Sequence, residues 1–129
     1  MGISIWWIRR DLRLHGNQAL AMSAQGNRQV LPLFVVDPRL MKAHHTGTKR
    51  VAFMFDALRS LDRSLRIQGS QLTVRVGLPH EVVPDIAREI GAEEVVAESD
   101  FGPFAQRRDA AVSKRVPLRL VDGSTVCPP

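Results

Sequence analysis

Five short apolar runs separated by stretches of helical period constrain this chain more than any other feature. The runs are Ile3–Ile8, Val30–Val36, Leu72–Val76, Glu94–Glu98 and Val116–Val121, each of strand length and rich in β-branched or alternating residues. Between them lie helical patterns. Asn17 suits an N-cap ahead of Leu20, Ala21 and Ala24, with Gly26 and Asn27 as the stop. Val51, Met54, Phe55, Leu58, Leu61 and Leu65 share one face of a long helix that Gly69 closes, and Pro79 opens a helix whose inward residues run from Val82 to Ile90 before Gly91. A last helix carries Phe104, Arg107, Arg108, Asp109 and Val112. Strands alternating with helices in this way predict an α/β three-layer sandwich: one parallel sheet, helices on both faces, right-handed crossovers. Two prolines test the pattern. Pro32 is expected near the start of its strand because it removes a ladder donor, and Pro84 is tolerable only in the first turn or two of its helix. Arg39–Thr48 has no clear period and reads as a loop.

Chemistry is concentrated where strands end. Ile3, Ile5, Trp6, Trp7 and Ile8 read as a strand buried on both faces, and Arg9, Arg10, Asp11 and Arg13 follow at once. In an open α/β sheet ligands bind beyond the carboxyl ends of strands, although a solvated basic turn fits the same spacing. After the fourth strand, Ser99, Asp100, Phe101, Gly102 and Pro103 suit a pocket rim or an ordinary turn in which Asp100 caps the next helix. Met54 and Phe53 can line a pocket or serve as plain core. The net charge of +5, from 18 basic and 13 acidic residues, permits an anionic partner without requiring one. Several classes are disfavoured. The first strand is not followed by GxGxxG, and the Walker lysine motif and the GxSxG elbow are absent. His44 and His45 have no Cys or carboxylate close by, so no metal site is assigned, and the single Cys127 excludes an internal disulfide. With no apolar stretch of membrane-span length and no basic leader ahead of the first run, a cytoplasmic protein without membrane partners is expected.

The segment WWIRRDLRLHGNQAL resembles the opening of the DNA photolyase and cryptochrome family, whose first strand runs into RRDLRLHDNPAL. RRDLRLH stands intact at Arg9–His15, and the resemblance continues through VVDP at Val35–Pro38, KRVAFMFDALRSLDRSLR, GLPHEVVP, and SDFGPFAQRRDAAV at Ser99–Val112. Gly16 and Gln18 depart from the family's Asp and Pro, and Ile8 stands where an aromatic is frequent. The resemblance implies a Rossmann-like domain over residues 1–122 with strand order 3-2-1-4-5, and 123–129 as the start of an interdomain linker. It further implies a light-harvesting antenna pigment, a hydroxy-deazaflavin or FMN, near the ends of the first, second and fourth strands. A folate antenna binds between two domains and so suits this chain less. Carried over by motif position, the cofactor-binding residues are Arg10, Asp11, Val36, Asp37, Arg50, Met54, Asp100 and Phe101, with no catalytic and no metal residue. Repair of pyrimidine dimers belongs to the parent enzyme, a carbon–carbon lyase. Its helical C-terminal domain holds FAD, meets damaged DNA and is the implied partner, so no catalysis is expected from this chain alone. Three alternatives stay open: a stand-alone nucleotide-binding domain of the same architecture, DNA contact through Arg9–Arg13, and a purely loop-fixing role for Arg10, Asp11 and Arg13.

Overall fold

Trp6 and Trp7 are neighbours in the first strand and point into different cores, and the whole architecture follows from that division. In the computed structural model the described residues are 2–9, 18–41, 48–100 and 102–121, without the side chains of 18, 27, 40, 41 and 48–51. In chain order they form β1 (Ile3–Ile8), α1 (Gln18–Ser23), a 3-10 turn (Gln25–Asn27), β2 (Gln29–Val36), α2 (Pro38–Met41), α3 (Thr48–Ile67), β3 (Thr73–Val76), α4 (Pro79–Ile90), β4 (Glu94–Glu98), α5 (Pro103–Ser113) and β5 (Leu118–Val121). The sheet is parallel throughout, in the order β3-β2-β1-β4-β5. Ile5, Trp7, Leu33, Val95 and Ala97 face α4 and α5, meeting Val83, Ile86 and Val112. Trp6, Ile8, Phe34, Val36 and Val96 face α1 and α3, meeting Ala19, Leu58, Leu61 and Leu65. β1 is therefore buried on both faces, as its uninterrupted apolar run predicts.

Pro32 lies fourth of eight in β2, opposite Trp6 of β1, farther inside the strand than expected. The sheet accommodates it because β3 pairs with β2 only from Leu33 onward, leaving that edge of β2 unpaired at the proline. Pro84 is the sixth residue of α4 and cannot donate to the carbonyl of His80 four residues back; Arg115 Nη1 donates to that carbonyl instead, at 3.3 Å. Gly91 ends α4 in the left-handed conformation (φ 69°), and the amide of Ala92 closes on Ala87 O at 2.9 Å. The loop expected over Arg39–Thr48 is corrected at its start. α2 forms there because Pro38 presets the first helical φ and Asp37 Oδ1 accepts the Arg39 amide at 2.9 Å. Residues 42–47, with His44 and His45, lie outside the described residues.

β3 occupies a sheet edge, as its alternation predicts. Its apolar members are not covered, however: Val74 and Val76 share the α3 face with Phe34 and Val36 by register, yet Val76 is 71% exposed. The fifth strand begins at Leu118 rather than Val116, which turns into the first core ahead of Pro117. At the amino end of the sheet, buried Glu94 joins Arg28 at 2.7 Å and Arg119 at 3.2 Å, linking the approaches to β2, β4 and β5.

Candidate functional site at the carboxyl edge of the sheet

Arg9, the residue that leaves β1, does not face solvent. Its side chain is 6% exposed; Nη1 donates to Asp109 of α5 and Nη2 to the carbonyl of Glu98, so the end of β1 is tied to the end of β4 and to α5. Arg108 Nε donates to the same Asp109 oxygen, Oδ1, at 3.1 Å. Both guanidiniums stack on Trp7, with their central carbons 4.8 Å (Arg9) and 5.3 Å (Arg108) from the ring centroid. Arg108 also lies 6.0 Å from the Phe104 ring, on which Arg39 stacks at 5.4 Å. A ladder of alternating cations and rings thus runs from β1 through α5 to α2. Burial lowers the Arg9 pKa, the positive charge of Arg108 lowers it further, and Asp109 and Asp100 act the other way. Among the described residues, three buried polar atoms in the cluster have no hydrogen-bond partner: Arg9 Nε, Arg108 Nη2 and Asp109 Oδ2.

Asp37, at the end of β2, is also buried. Its carboxylate takes Arg39 in a fork, Nε to Oδ1 at 3.1 Å and Nη2 to Oδ2 at 2.8 Å, besides the Arg39 amide. Burial alone would raise the Asp37 pKa, but the hydrogen bonds from the Arg39 side chain and backbone outweigh it and hold the group below its ordinary value.

Two hollows flank this ion-pair layer. The smaller, of about 90 Å³, lies beyond the ends of β1 and β2 and is walled by Trp7, Arg9, Phe34, Asp37, Pro79 and Arg108. The larger, of about 390 Å³, is an open groove between α5 and β5, lined by Ser99, Asp100, Asp109, Ser113, Leu118 and Leu120. Arg9 borders one and Asp109 the other, so their ion pair forms part of the partition. The smaller hollow equals about three waters by volume, enough for one ring or the edge of a larger planar group. Its lining by Trp7, by the acid Asp37 and by the arginines Arg9 and Arg108 suits the edge of a planar group that carries both hydrogen-bond donors and acceptors. Among the described residues no group of three His, Cys, Asp or Glu side chains is placed to hold a metal ion.

The sequence-assigned site residues are divided by this geometry. Asp37 borders the smaller hollow and Asp100 the larger one. Val36 is packed into the second core, and Met54 lies half-buried against that core. Phe53, by contrast, is 66% exposed and lines a shallow hollow with Ala52, Asp56 and Ala57. Arg10, Asp11 and Phe101 lie outside the described residues; Arg50 belongs to α3, with its side chain outside them. Arg9, the first residue after β1, reaches the end of β4 through its bond to the Glu98 carbonyl. Trp7, Phe104, Arg108 and Asp109 are the residues that sequence reasoning left unassigned. One signal for them existed: Ala105, Asp109 and Val112 fall on the inward face of α5, and an acid on such a face needs a buried partner.

A family model described as DNA photolyase matches residues 4–129. The chain belongs to the DNA photolyase family. It is 37% identical over its whole length to a deoxyribodipyrimidine photo-lyase of Thermus thermophilus, covering 30% of that protein, and 37% identical over 86% of its length to cryptochrome-2 of Gallus gallus, covering 19%. Its structure resembles a cryptochrome of Synechocystis (TM-score 0.90, 26% identity, 98% of this chain and 28% of that one). It also resembles an archaeal photolyase of Sulfolobus tokodaii, solved with two FAD molecules and an implied novel light-harvesting cofactor (TM-score 0.84, 28% identity, 93% of this chain and 29% of that one). This photolyase-family chain therefore spans about a fifth to a third of these relatives and corresponds to the family's N-terminal α/β domain, with the strand order expected of it. Among the described residues no helix is long and apolar enough to cross a membrane.

Proposed function

We propose that this domain binds a light-harvesting antenna pigment, a hydroxy-deazaflavin or FMN, with one ring edge seated in the hollow beyond β1 and β2. The observation that carries this reading is the lining of that hollow, where Trp7, the buried acid Asp37 and the arginines Arg9 and Arg108 meet beyond the strand ends. The bound pigment supplies absorption in the near ultraviolet or blue and passes the excitation on. The protein's part is to hold the ring: Trp7 excludes water, Asp37 accepts a ring or ribitol donor in the orientation set by Arg39, and the guanidinium groups of Arg9 and Arg108 supply positive charge beside a ring oxygen. In this reading residues 1–122 are the antenna domain and 123–129 begin a linker. The linker leads to an FAD-binding helical domain of the parent protein, where dimer repair takes place.

Titration of the chain with FMN and with 8-hydroxy-5-deazariboflavin, followed by absorption and fluorescence, tests the proposal. Saturable binding at tens of micromolar or below is expected. Replacing Asp37 by Ala should weaken it about tenfold, the worth of one hydrogen bond to a charged acceptor. Flat titrations with both pigments overturn the reading, and saturable ATP binding in their place would favour a nucleotide-binding domain.

A further inference from the structure

Helix α3 carries two stripes, and the fold uses one of them. Met54, Leu58, Leu61 and Leu65 pack against the second core. Phe53, Ala57, Ser60, Ser64 and Ile67 recur at spacings of four and three, which sets them in one line on the flank of the helix, roughly a third of a turn round from the core stripe. The two ends of this line are open: Phe53 is 66% exposed and Ile67 85%. A single exposed apolar side chain needs no explanation. These two are placed symmetrically, seven residues before Ser60 and seven after it, with small side chains between them along the line. The charges beside the line follow the same symmetry, Asp56 four residues before Ser60 and Arg63 three after. Arg66 is joined to Asp62 at 2.9 Å, whereas Arg63 has no ion-pair partner among the described residues. Asp56 meets Arg59 at 3.3 Å with both side chains largely in solvent, where such a pair is worth little.

We infer that this flank of α3 is a contact surface for a second copy of the chain, the two helices running antiparallel about a two-fold axis at Ser60. Such an axis brings residues equally far before and after Ser60 to one level. Phe53 of each copy then meets Ile67 of the other, and Ile67 enters the shallow hollow that Ala52, Phe53, Asp56 and Ala57 form. Arg63 comes within one residue of the level of Asp56 in the second copy, on the same side of the seam, so the cation left unmatched within the chain finds a carboxylate, twice. An unrelated partner calls for neither the paired apolar ends nor the paired charges, and a two-fold contact calls for both. The line spans about 21 Å of a helix about 10 Å across, so the contact buries a few hundred Å² per copy, less than the roughly 800 Å² of a stable complex. The dimer is therefore weak and reversible, with a dissociation constant on the order of 0.1 mM. It is independent of the pigment reading.

Sedimentation velocity of the full chain between about 10 µM and about 1 mM tests the inference. A monomer–dimer equilibrium is expected, and a chain that stays monomeric throughout overturns it. Phe53→Asp should weaken association about tenfold or more, because it sets a carboxylate against Ile67 at both ends of the contact. The charges give the specific check. Asp56→Arg and Arg63→Asp should each weaken self-association by setting like charges against each other, while a one-to-one mixture of the two variants, in which both cross-contacts are arginine to aspartate, should associate at least as tightly as the wild type. A mixture no tighter than either variant alone, or a dimer indifferent to Phe53→Asp, puts the interface elsewhere and overturns the inference. Should a variant not fold, as judged by circular dichroism, cross-linking decides. Ser60→Cys, made together with Cys127→Ser, should give a disulfide-linked dimer under mild oxidation, since a residue on the axis meets itself. A linked dimer no more abundant than that from Arg88→Cys in the same background refutes the two-fold contact.

Discussion

Asp109 holds two arginines on one carboxylate oxygen inside the protein, and through Arg9, which also donates to Glu98, α5 is tied to the ends of β1 and β4. Asp109→Asn should cost about 3–5 kcal/mol in urea unfolding, because it leaves two buried guanidiniums without a compensating charge; a loss below about 1 kcal/mol would mean that water reaches them. Asp37 sets a smaller term with a pH signature. Its folded pKa is lowered, so its contribution is complete above the ordinary carboxylate value of about 4 and disappears as pH falls through the depressed folded value. Asp37→Ala should therefore cost about 1 kcal/mol at pH 7, as the loss of a helix cap does, and progressively less in unfolding measured towards pH 2. An acid on the inward face of α5 was legible from spacing. Its partner was not, because Arg9 lies a hundred residues away in sequence and only the β1–β4 pairing brings the two together.

At the scale of elements, helix ends were more legible than strand limits. Gly91 stops α4 because a left-handed residue is required there, and Gly91→Ala should cost about 1–2 kcal/mol in thermal or urea unfolding; a neutral result would show that the cap relaxes. Pro84 was readable as a conflict but not as a solution, since the carbonyl it leaves free is served by Arg115 from beyond α5. α2 shows the converse. Asp37 and Pro38 carry its start signal, yet four residues are too few to display a helical period. In β3 the alternation predicted an edge strand, and only the packing showed that α3 leaves Val76 uncovered.

For the whole molecule, the position of β1 between β2 and β4 makes a prediction about dynamics. Amides of β1 should exchange with solvent most slowly and those of β3 and β5 fastest, measured by hydrogen–deuterium exchange; fast exchange in β1 would contradict a core shared between both faces. The sequence by itself determined the alternation of strands and helices, the parallel sheet and the doubly buried first strand. Each of these follows from hydrophobic period and chain handedness, which are local properties. Motif resemblance added the strand order and the pigment expectation. The tertiary structure decided the rest. It turned Arg9 from a loop cation into a buried tie and set Asp37 and Asp100 in separate hollows. It also stacked two guanidiniums on Trp7. Those outcomes depend on which distant side chains share a low-dielectric space, and no local period in the chain encodes that.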